Sequence, residues 1–351
     1  MKILLFTDNH FSQYSSIIRS RGDKFSTRLE NQIQSLNWVN EIAIEKDCGI
    51  MVCLGDFFDK PELNSEELTA LKEIKWNSLS KYFIVGNHEM GSNDLSYNSV
   101  NALSSIGTIV DKPTLISGYG YNLYMLPYIS ETDRKPLNDY INQLNLETAG
   151  MFTTQEVKQS LILSHNDISG IRYGQYESKS GFNIKEINDL NIWYINGHLH
   201  NQTQISDKIL NLGNLTGQNF SEDGFKYSHC VGIFDTDTYD IELINNPYAF
   251  KFYKISAEDL VDLENQVLKL DKNYSIGTVS IDETFTSDAR TICSEHFKEY
   301  KLLTKPSKDK NIDENILTDT ISIDHIKQFK NYCLENIDNS DILINELALL
   351  N

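Results

Sequence analysis

Ile50-Met51-Val52-Cys53-Leu54-Gly55-Asp56-Phe57-Phe58-Asp59 is the stretch from which the fold can be read. Five apolar residues in a row are the pattern of a strand buried on both faces. A glycine and a carboxylate follow at once. The arrangement recurs at residues 3–7, which lead into Asp8-Asn9-His10, and at residues 82–85, which lead into Gly86-Asn87-His88-Glu89. Between these strands, residues 29–45 set Leu29, Ile33, Leu36, Val39 and Ala43 on one helical face, and residues 62–76 read as a second helix. The strand-helix rhythm predicts a parallel sheet with helices on its faces. Ligands of such sheets gather at the carboxyl ends of the strands, where these polar clusters sit.

From about Thr108 the pattern turns to short strands at residues 121–126, 160–163, 192–195, 208–212, 228–234 and 240–244. They predict a second sheet packed on the first, so the fold class is α/β (α+β), a two-sheet β-sandwich flanked by helices. Asn245-Asn246-Pro247 marks a boundary, giving a domain of residues 1–246. Residues 247–300 read as a small α+β cap, with a helix at 257–270 and a strand at 278–281. Residues 301–351 read as a polar linker followed by a C-terminal helix, with Ile323, Ile326, Phe329, Tyr332 and Cys333 at helical spacing.

The 351 residues are 40% apolar and 11% aromatic, enough for a sizeable core, which excludes a disordered or collagen-like chain. No apolar run approaches the roughly 20 residues a membrane helix needs. The N-terminal apolar run is too short for a signal peptide and meets Asp8 at once, as expected of a cytoplasmic protein. Five cysteines without a C-x-x-C pair argue against a disulfide framework or a thiolate zinc site.

Of eight histidines, His10, His88, His165, His198 and His200 directly follow apolar strands. A single histidine is more often a satisfied core or surface residue than a ligand. The ordered set Asp-x-His, Gly-Asp-x-x-Asp, Gly-Asn-His-Glu, a strand-end His and Gly-His-x-His points to a metal centre. Two divalent cations need a shared carboxylate with mixed oxygen and nitrogen donors, and Asp56 is the natural bridge. Asp8 with His10, and His198 with His200, share an i, i+2 relation that in extended chain turns both side chains to one face. Gly55, Gly86 and Gly197 are expected to permit the sharp turns. Imidazole with carboxylate and amide oxygen suits manganese, iron or zinc better than calcium. His88, beside Asn87 but expected to point to the other side, could protonate a leaving oxygen or steady a phosphoryl charge. Asp59 could orient a ligating histidine or cap the next helix, and Glu89 reads as structural.

On these motifs, from Asp8 to His200, the chain resembles the calcineurin-like metallophosphoesterases. Within them it is similar to the SbcD-type (Mre-type) DNA-repair nucleases, especially the small subunit of tailed-phage recombination endonucleases. The resemblance implies one metal on Asp8, His10, Asp56 and His200, and a second on Asp56, Asn87, His165 and His198. It implies His88 as the catalytic histidine, manganese as the activating ion and an SMC-like coiled-coil (SbcC-type) ATPase partner docked by the C-terminal helix. It also implies a homodimer, and activity as a duplex-end exonuclease and single-strand endonuclease. The sequence departs from the family pattern at Asn9, where a bulky aromatic is usual, at Glu89, where Asp is commoner, and in the loose match Ser164-His165-Asn166-Asp167.

The rival reading is a phosphatase or small-molecule phosphodiesterase. Phosphoprotein phosphatases follow the second-motif Asp with Arg-Gly, whereas Asp59 here precedes Lys60-Pro61. A guanidinium is the expected bidentate phosphate ligand, so its absence weighs against that rival. A scaffold that had lost catalysis would have lost ligands, and all seven ligand positions remain. The net charge of −19 opposes tight binding to DNA. Local basic stretches, Arg19, Arg21, Lys24 and Arg28, then Arg172 and Lys179 with Tyr173 and Tyr176, are candidate phosphate-backbone contacts. Weak DNA binding by the isolated chain follows, with the ATPase supplying most of the affinity.

Overall fold

The computed structural model describes residues 1–305 except 93, 119–120, 149–158 and 174–175, with the backbone alone at 118, 148, 172–173 and 176–177. The expected C-terminal helix, Cys333 included, lies outside the described residues.

Alternation along the first strand sets up the layers. In Lys2–Phe6, Leu4 and Phe6 join one buried cluster and Ile3 and Leu5 another. Successive residues of a strand face opposite sides, so one strand serves two cores. Leu4 and Phe6 meet the helix Thr27–Glu45 through Leu29, Leu36, Val39 and Ala43. Ser26 starts that helix, its hydroxyl accepting from the Leu29 N–H. Ile3 and Leu5, with Val52, Leu54 and Ile84, meet Leu123, Met125, Leu161, Leu163 and Ile195 of the second sheet. The strand Tyr121–Leu126 repeats the device, turning Tyr124 and Leu126 outward under the helices Leu137–Thr148 and Ile184–Leu190. The result is helix, sheet, sheet, helix, in four layers.

The first sheet runs in the order Asp240–Asn245, Cys230–Asp235, Lys2–Phe6, Cys48–Cys53, Ser80–Ile84, Thr108–Val110. The last four are parallel, and the two late strands pair antiparallel at one edge. This corrects the expectation that every strand after Thr108 belongs to the second sheet: the chain returns to the first sheet after residue 228. The second sheet runs Thr203–Ser206, Ile209–Asn211, Trp193–Asn196, Gln159–Ser164, Tyr121–Leu126, Thr114–Gly118. The helix expected over 62–76 is confined to Ser65–Ala70 and a 3-10 turn Leu71–Glu73, capped by Asn64.

Beyond residue 250 three parallel strands, Lys251–Ser256, Ser275–Asp282 and Glu299–Lys305, alternate with the helices Leu260–Val267 and Thr286–His296 around a core of their own. The third strand occupies residues 301–305, where the sequence reading starts a linker. Ile18, Phe250, Phe252 and Ile276 form a small apolar contact between this unit and the sandwich. The Glu299 carboxylate accepts from the Arg19 and Ser20 N–H groups at 3.0 and 3.2 Å. Among the described residues no helix is long and apolar enough to cross a membrane.

Candidate metal centre

The loops after the first two strands continue the parallel ladder beyond the sheet. Asp8 N–H donates to Gly55 O at 3.1 Å, His10 N–H to Asp56 O at 2.9 Å and Phe11 N–H to Phe57 O at 2.7 Å. The backbone there is not extended. Asp8, His10, Asp56 and His198 have φ of 49°, 46°, 47° and 70°, left-handed values that cost a non-glycine residue energy. Asp8 and His10 thus meet through two left-handed residues, and not through the shared face of an extended segment. Glycine is needed for different reasons at two turns. Gly55 has φ 117°. Gly86 is needed for room, because a Cβ there would come within 2.1 Å of Asp56 Oδ1.

Six of the seven expected ligands gather into two groups whose donor atoms lie within 4.8 Å of one another: Asp8, His10 and His200, then Asp56, His165 and His198. The seventh, Asn87, places Oδ1 3.0 Å from His198 Nδ1. Three of the histidines are fixed alike. His10 Nδ1 faces Asp59 Oδ1 at 3.2 Å, His165 Nδ1 faces Leu54 O at 2.9 Å and His200 Nδ1 faces Glu222 Oε1 at 2.8 Å. Each Nδ1–H donates outward, which fixes the ring orientation and turns Nε2 to the site.

The carboxylates are held in the same manner. Asp8 Oδ2 accepts from Thr7 Oγ at 2.6 Å and from His198 N–H at 3.0 Å, leaving Oδ1 free. Asp56 Oδ1 accepts from His88 N–H at 3.0 Å. Its Oδ2 then sits 3.1 Å from His165 Nε2 and 3.8 Å from His10 Nε2, between the two groups.

Asp8 Oδ1, His10 Nε2 and His165 Nε2 are buried atoms without a hydrogen-bond partner. Leaving such atoms unpaired costs about 1–3 kcal/mol each. Converging orphaned nitrogen and oxygen donors are what divalent cations require, so the residues fit a pair of them. Asp8, His10 and His200 would hold one, and Asn87, His165 and His198 the other, with Asp56 between.

Ionisation follows from the crowding. Burial alone would raise the Asp8 carboxyl, but the neighbouring His10, His165 and His200 bring it down to about 2. Burial likewise opposes ionisation of Asp56, and His165 and His10 hold it well below the usual carboxylate range. Burial would lower His10 and His165. Asp59 and Asp8 raise His10 to about 10, and Asp56 raises His165 to about 9.

His88 is the exposed member, with 44% of its side chain accessible. It does not turn away from the ligands. It leans edge-on against His10, ring centroids 4.6 Å apart, and its Nδ1 faces the Asp59 carbonyl at 3.2 Å. Glu89 is buried between two loops, accepting from Phe58 N–H at 2.9 Å and Gly86 N–H at 2.8 Å. Burial and the Asp56 charge push its carboxyl up to about 8.

Three residues around the site escape the sequence reading. Glu222, fully buried, orients His200. Asp167 Oδ1 lies 3.1 Å from His198 Nε2. Gln32 Nε2 donates to the Asn9 and His10 carbonyls at 2.7 and 2.8 Å, clamping the first loop. Asp167 follows His165 by two residues, a signal present in the quoted segment. Glu222 and Gln32 carry none.

The candidate DNA contacts differ in exposure. Arg28 is buried, 6% exposed, its guanidinium donating to the His10 carbonyl at 3.1 Å; it belongs to the first helical turn after Ser26 and cannot face a phosphate backbone. Arg21 and Lys24 are exposed and paired with Glu66 and Glu73. Arg19 and Lys179 are exposed, and the Arg172 side chain lies outside the described residues.

The family model described as calcineurin-like phosphoesterase matches residues 1–202, more than half the chain. The chain belongs to this family. Calcineurin-like phosphoesterases are hydrolases acting on phosphoester bonds with divalent metals, and the donor groups above lie within or directly beside the matched segment. None of the curated proteins matches the chain. Solved structures similar to it include TT1561 of Thermus thermophilus (10% identity, 70% of this chain and 98% of that one, TM-score 0.41). A dimetal phosphatase from Danio rerio (13%, 70% and 99%, TM-score 0.40) and a novel archaeal phosphodiesterase (12%, 70% and 99%, TM-score 0.34) are also similar.

Proposed function

We propose that this calcineurin-like phosphoesterase is a metal-dependent DNA nuclease of the SbcD type, cleaving phosphodiesters at duplex ends and in single strands. The observation that carries the reading is the setting of the donor cluster. The loop that supplies Glu222 is also bonded to the small unit, through Gly217 N–H to Phe250 O at 2.9 Å and Gly224 N–H to Phe252 O at 2.8 Å. Loop 16–20, which follows the first motif, is bonded to the same unit through Glu299. A second body thus flanks the site, as a polymeric substrate would need and a small ester would not. Two basic residues near the motifs are already engaged, which also favours it: Lys60 is drawn to Glu67 at 3.2 Å, and Arg28 is spent on the His10 carbonyl.

When bound, two divalent cations, manganese in this reading, would activate water and neutralise charge on the phosphate. The chain's own residues do the rest. Asp59 holds His10 by its carboxylate and His88 by its carbonyl, so His88 Nδ1–H is committed and Nε2 is the ring nitrogen left for the substrate. As the bond from phosphorus to the leaving oxygen breaks, a His88 carrying a proton on both ring nitrogens would give its Nε2 proton to that oxygen and keep its Nδ1–H on the Asp59 carbonyl. Glu222 and Leu54 O keep His200 and His165 in their ligating tautomers. Residues 306–351 would carry the docking helix for the coiled-coil ATPase, and the protein would act as a cytoplasmic homodimer.

The test is manganese-dependent degradation of end-labelled duplex and single-stranded DNA by wild type and His88→Ala, with a phosphoprotein and a cyclic nucleotide in parallel. DNA cleavage lost in the variant supports the nuclease. Turnover of the phosphoprotein or cyclic nucleotide with DNA intact moves the chain to the phosphatase or small-molecule phosphodiesterase class. Deleting residues 320–351 should abolish co-purification with a co-expressed ATPase; retained co-purification overturns the docking claim.

A further inference from the structure

Beside the donor cluster lies a cavity of about 500 Å³ whose wall begins at His198 and His200 themselves. The rest of the lining is Leu199, Asn201, Thr203 and Asn211 on one side, with Ile171, Ile205, Ser221 and Tyr227 completing it. Its volume falls within the roughly 300–1,000 Å³ of small-ligand sites. Among the described residues the two histidines and the Tyr227 phenol are the titratable groups that line it, with no carboxylate, lysine or arginine, in a chain of net charge −19 whose neighbouring cluster is crowded with carboxylates. Tyr227 gives it a phenol ring, and amide and hydroxyl groups supply hydrogen bonds.

The wall is fixed in advance. Asn211 Nδ2 donates to Leu199 O at 2.6 Å and to Asn201 O at 2.9 Å, and Asn214 N–H donates to His200 O at 3.0 Å. A group entering therefore meets an ordered surface and does not have to order a loop, which favours affinity.

We propose that this cavity seats one nucleoside of the substrate, the sugar and base next to the scissile phosphate. The inference rests on the nuclease reading. With the phosphate at the donor cluster, the group esterified to it must extend along one wall, and this wall starts from two of the donors. A second phosphate would call for a lysine or arginine, and the described lining has neither. A carboxylate-bearing peptide would gain nothing from it either. A base is flat, uncharged and rich in donors and acceptors, and Tyr227 offers the ring on which bases stack irrespective of sequence.

The test compares two chromogenic phosphodiesters on the manganese-loaded protein, thymidine 5′-(4-nitrophenyl phosphate) and methyl 4-nitrophenyl phosphate. Calorimetric titration with thymidine 5′-monophosphate against inorganic phosphate gives a readout that needs no turnover. Wild type should prefer the thymidine ester and bind the monophosphate more tightly than phosphate. Tyr227→Ala should cut that preference on the order of 10-fold, through KM, as loss of one base–aromatic stack would. Thr203→Trp, at an exposed position that fills the cavity without touching the core, should do the same. Equal handling of the two esters by wild type, or a preference that survives both variants, overturns the inference. If DNA is cleaved and the preference survives, the pocket assignment fails alone. If DNA is untouched and the preference is present and lost in the variants, the nuclease reading fails and the nucleoside site stands.

Discussion

Replacing Glu222 by Gln tests whether a residue outside the family segment builds half of the metal centre. The carboxylate accepts four hydrogen bonds. His200 Nδ1 at 2.8 Å and Asn219 Nδ2 at 3.1 Å approach Oε1, while Asn214 Nδ2 at 2.9 Å and Gln218 N at 2.7 Å approach Oε2. A carboxylate serves donors on both sides. A carboxamide serves one side and confronts the other with its own N–H groups. If the amide nitrogen faces His200, the ring is driven to the tautomer that protonates Nε2, and the ligand is lost. If it faces Asn214 and Gln218, two donors are left unpaired at about 1–3 kcal/mol each. Loss of such a support typically costs 10–100-fold in metal affinity, about 1.4–2.7 kcal/mol. Calorimetric titration of the chelated protein with manganese should therefore show one of two sites weakened by that factor in Glu222→Gln. The site built on His165 and His198 should change little, because neither contacts Glu222 in the described structure. Circular dichroism guards against a folding artefact. Two sites of wild-type affinity in a folded variant would refute the orienting role of Glu222.

Three further outcomes are expected. Asp56→Asn should weaken both sites together, since Oδ2 lies between His10 and His165; a loss confined to one site in calorimetry would contradict the bridging arrangement. Arg28→Met should destabilise the fold by about 1.5–3 kcal/mol, the worth of a charged hydrogen bond to the His10 carbonyl, read as a lowered urea midpoint; an unchanged midpoint would show that Gln32 suffices. The pH dependence of the chelated protein has a definite sign. His10 and His165 are raised from 6.5 to about 10 and about 9, so their stabilisation is fully present below pH 6.5 and is lost as pH rises through about 9 and then 10. Glu89, raised from 4.5 to about 8, adds a loss of stability between those two values. The urea midpoint in chelator should fall from pH 6 to 10, and saturating manganese should reverse the trend, because ligation needs neutral imidazole. A midpoint that climbs with pH in chelator would contradict the charge assignments.

Much of the site was legible because a parallel sheet places the ends of its strands side by side. Asp8, Asp56 and Asn87 each follow an apolar run, and that position alone brings them together. The geometry at Asp8 and His10 was not legible, because left-handed residues cannot be told from extended ones by spacing. The sheet membership of Cys230–Asp235 was hidden for another reason: an apolar strand carries no mark of which edge it will join. Leu137, Tyr140 and Leu144 were spaced as a helix face and passed unread among polar neighbours. Glu222 was illegible in a deeper sense. It lies 22 residues beyond His200 in a loop without periodicity, and only the fold puts it at the ring.

The ionisation of the cluster shows how so acidic a chain could accommodate a phosphate ester. Asp8 and Asp56 are fully buried and ionised, which in low dielectric is tolerable only with opposite charge at hand. Protonated His10 and His165 provide it, at values near 10 and 9. Cations entering the site must displace those protons, so metal uptake exchanges one set of positive charges for a stronger one. Each histidine that gives up a proton removes one positive charge, while each divalent ion adds two, so the site becomes more positive where the phosphate must sit. In the proposed nuclease reading, the attraction for DNA would then be generated locally at the metal centre. A basic surface is not required of the rest of the chain, and its exposed Arg21 and Lys24 are free to pair with Glu66 and Glu73.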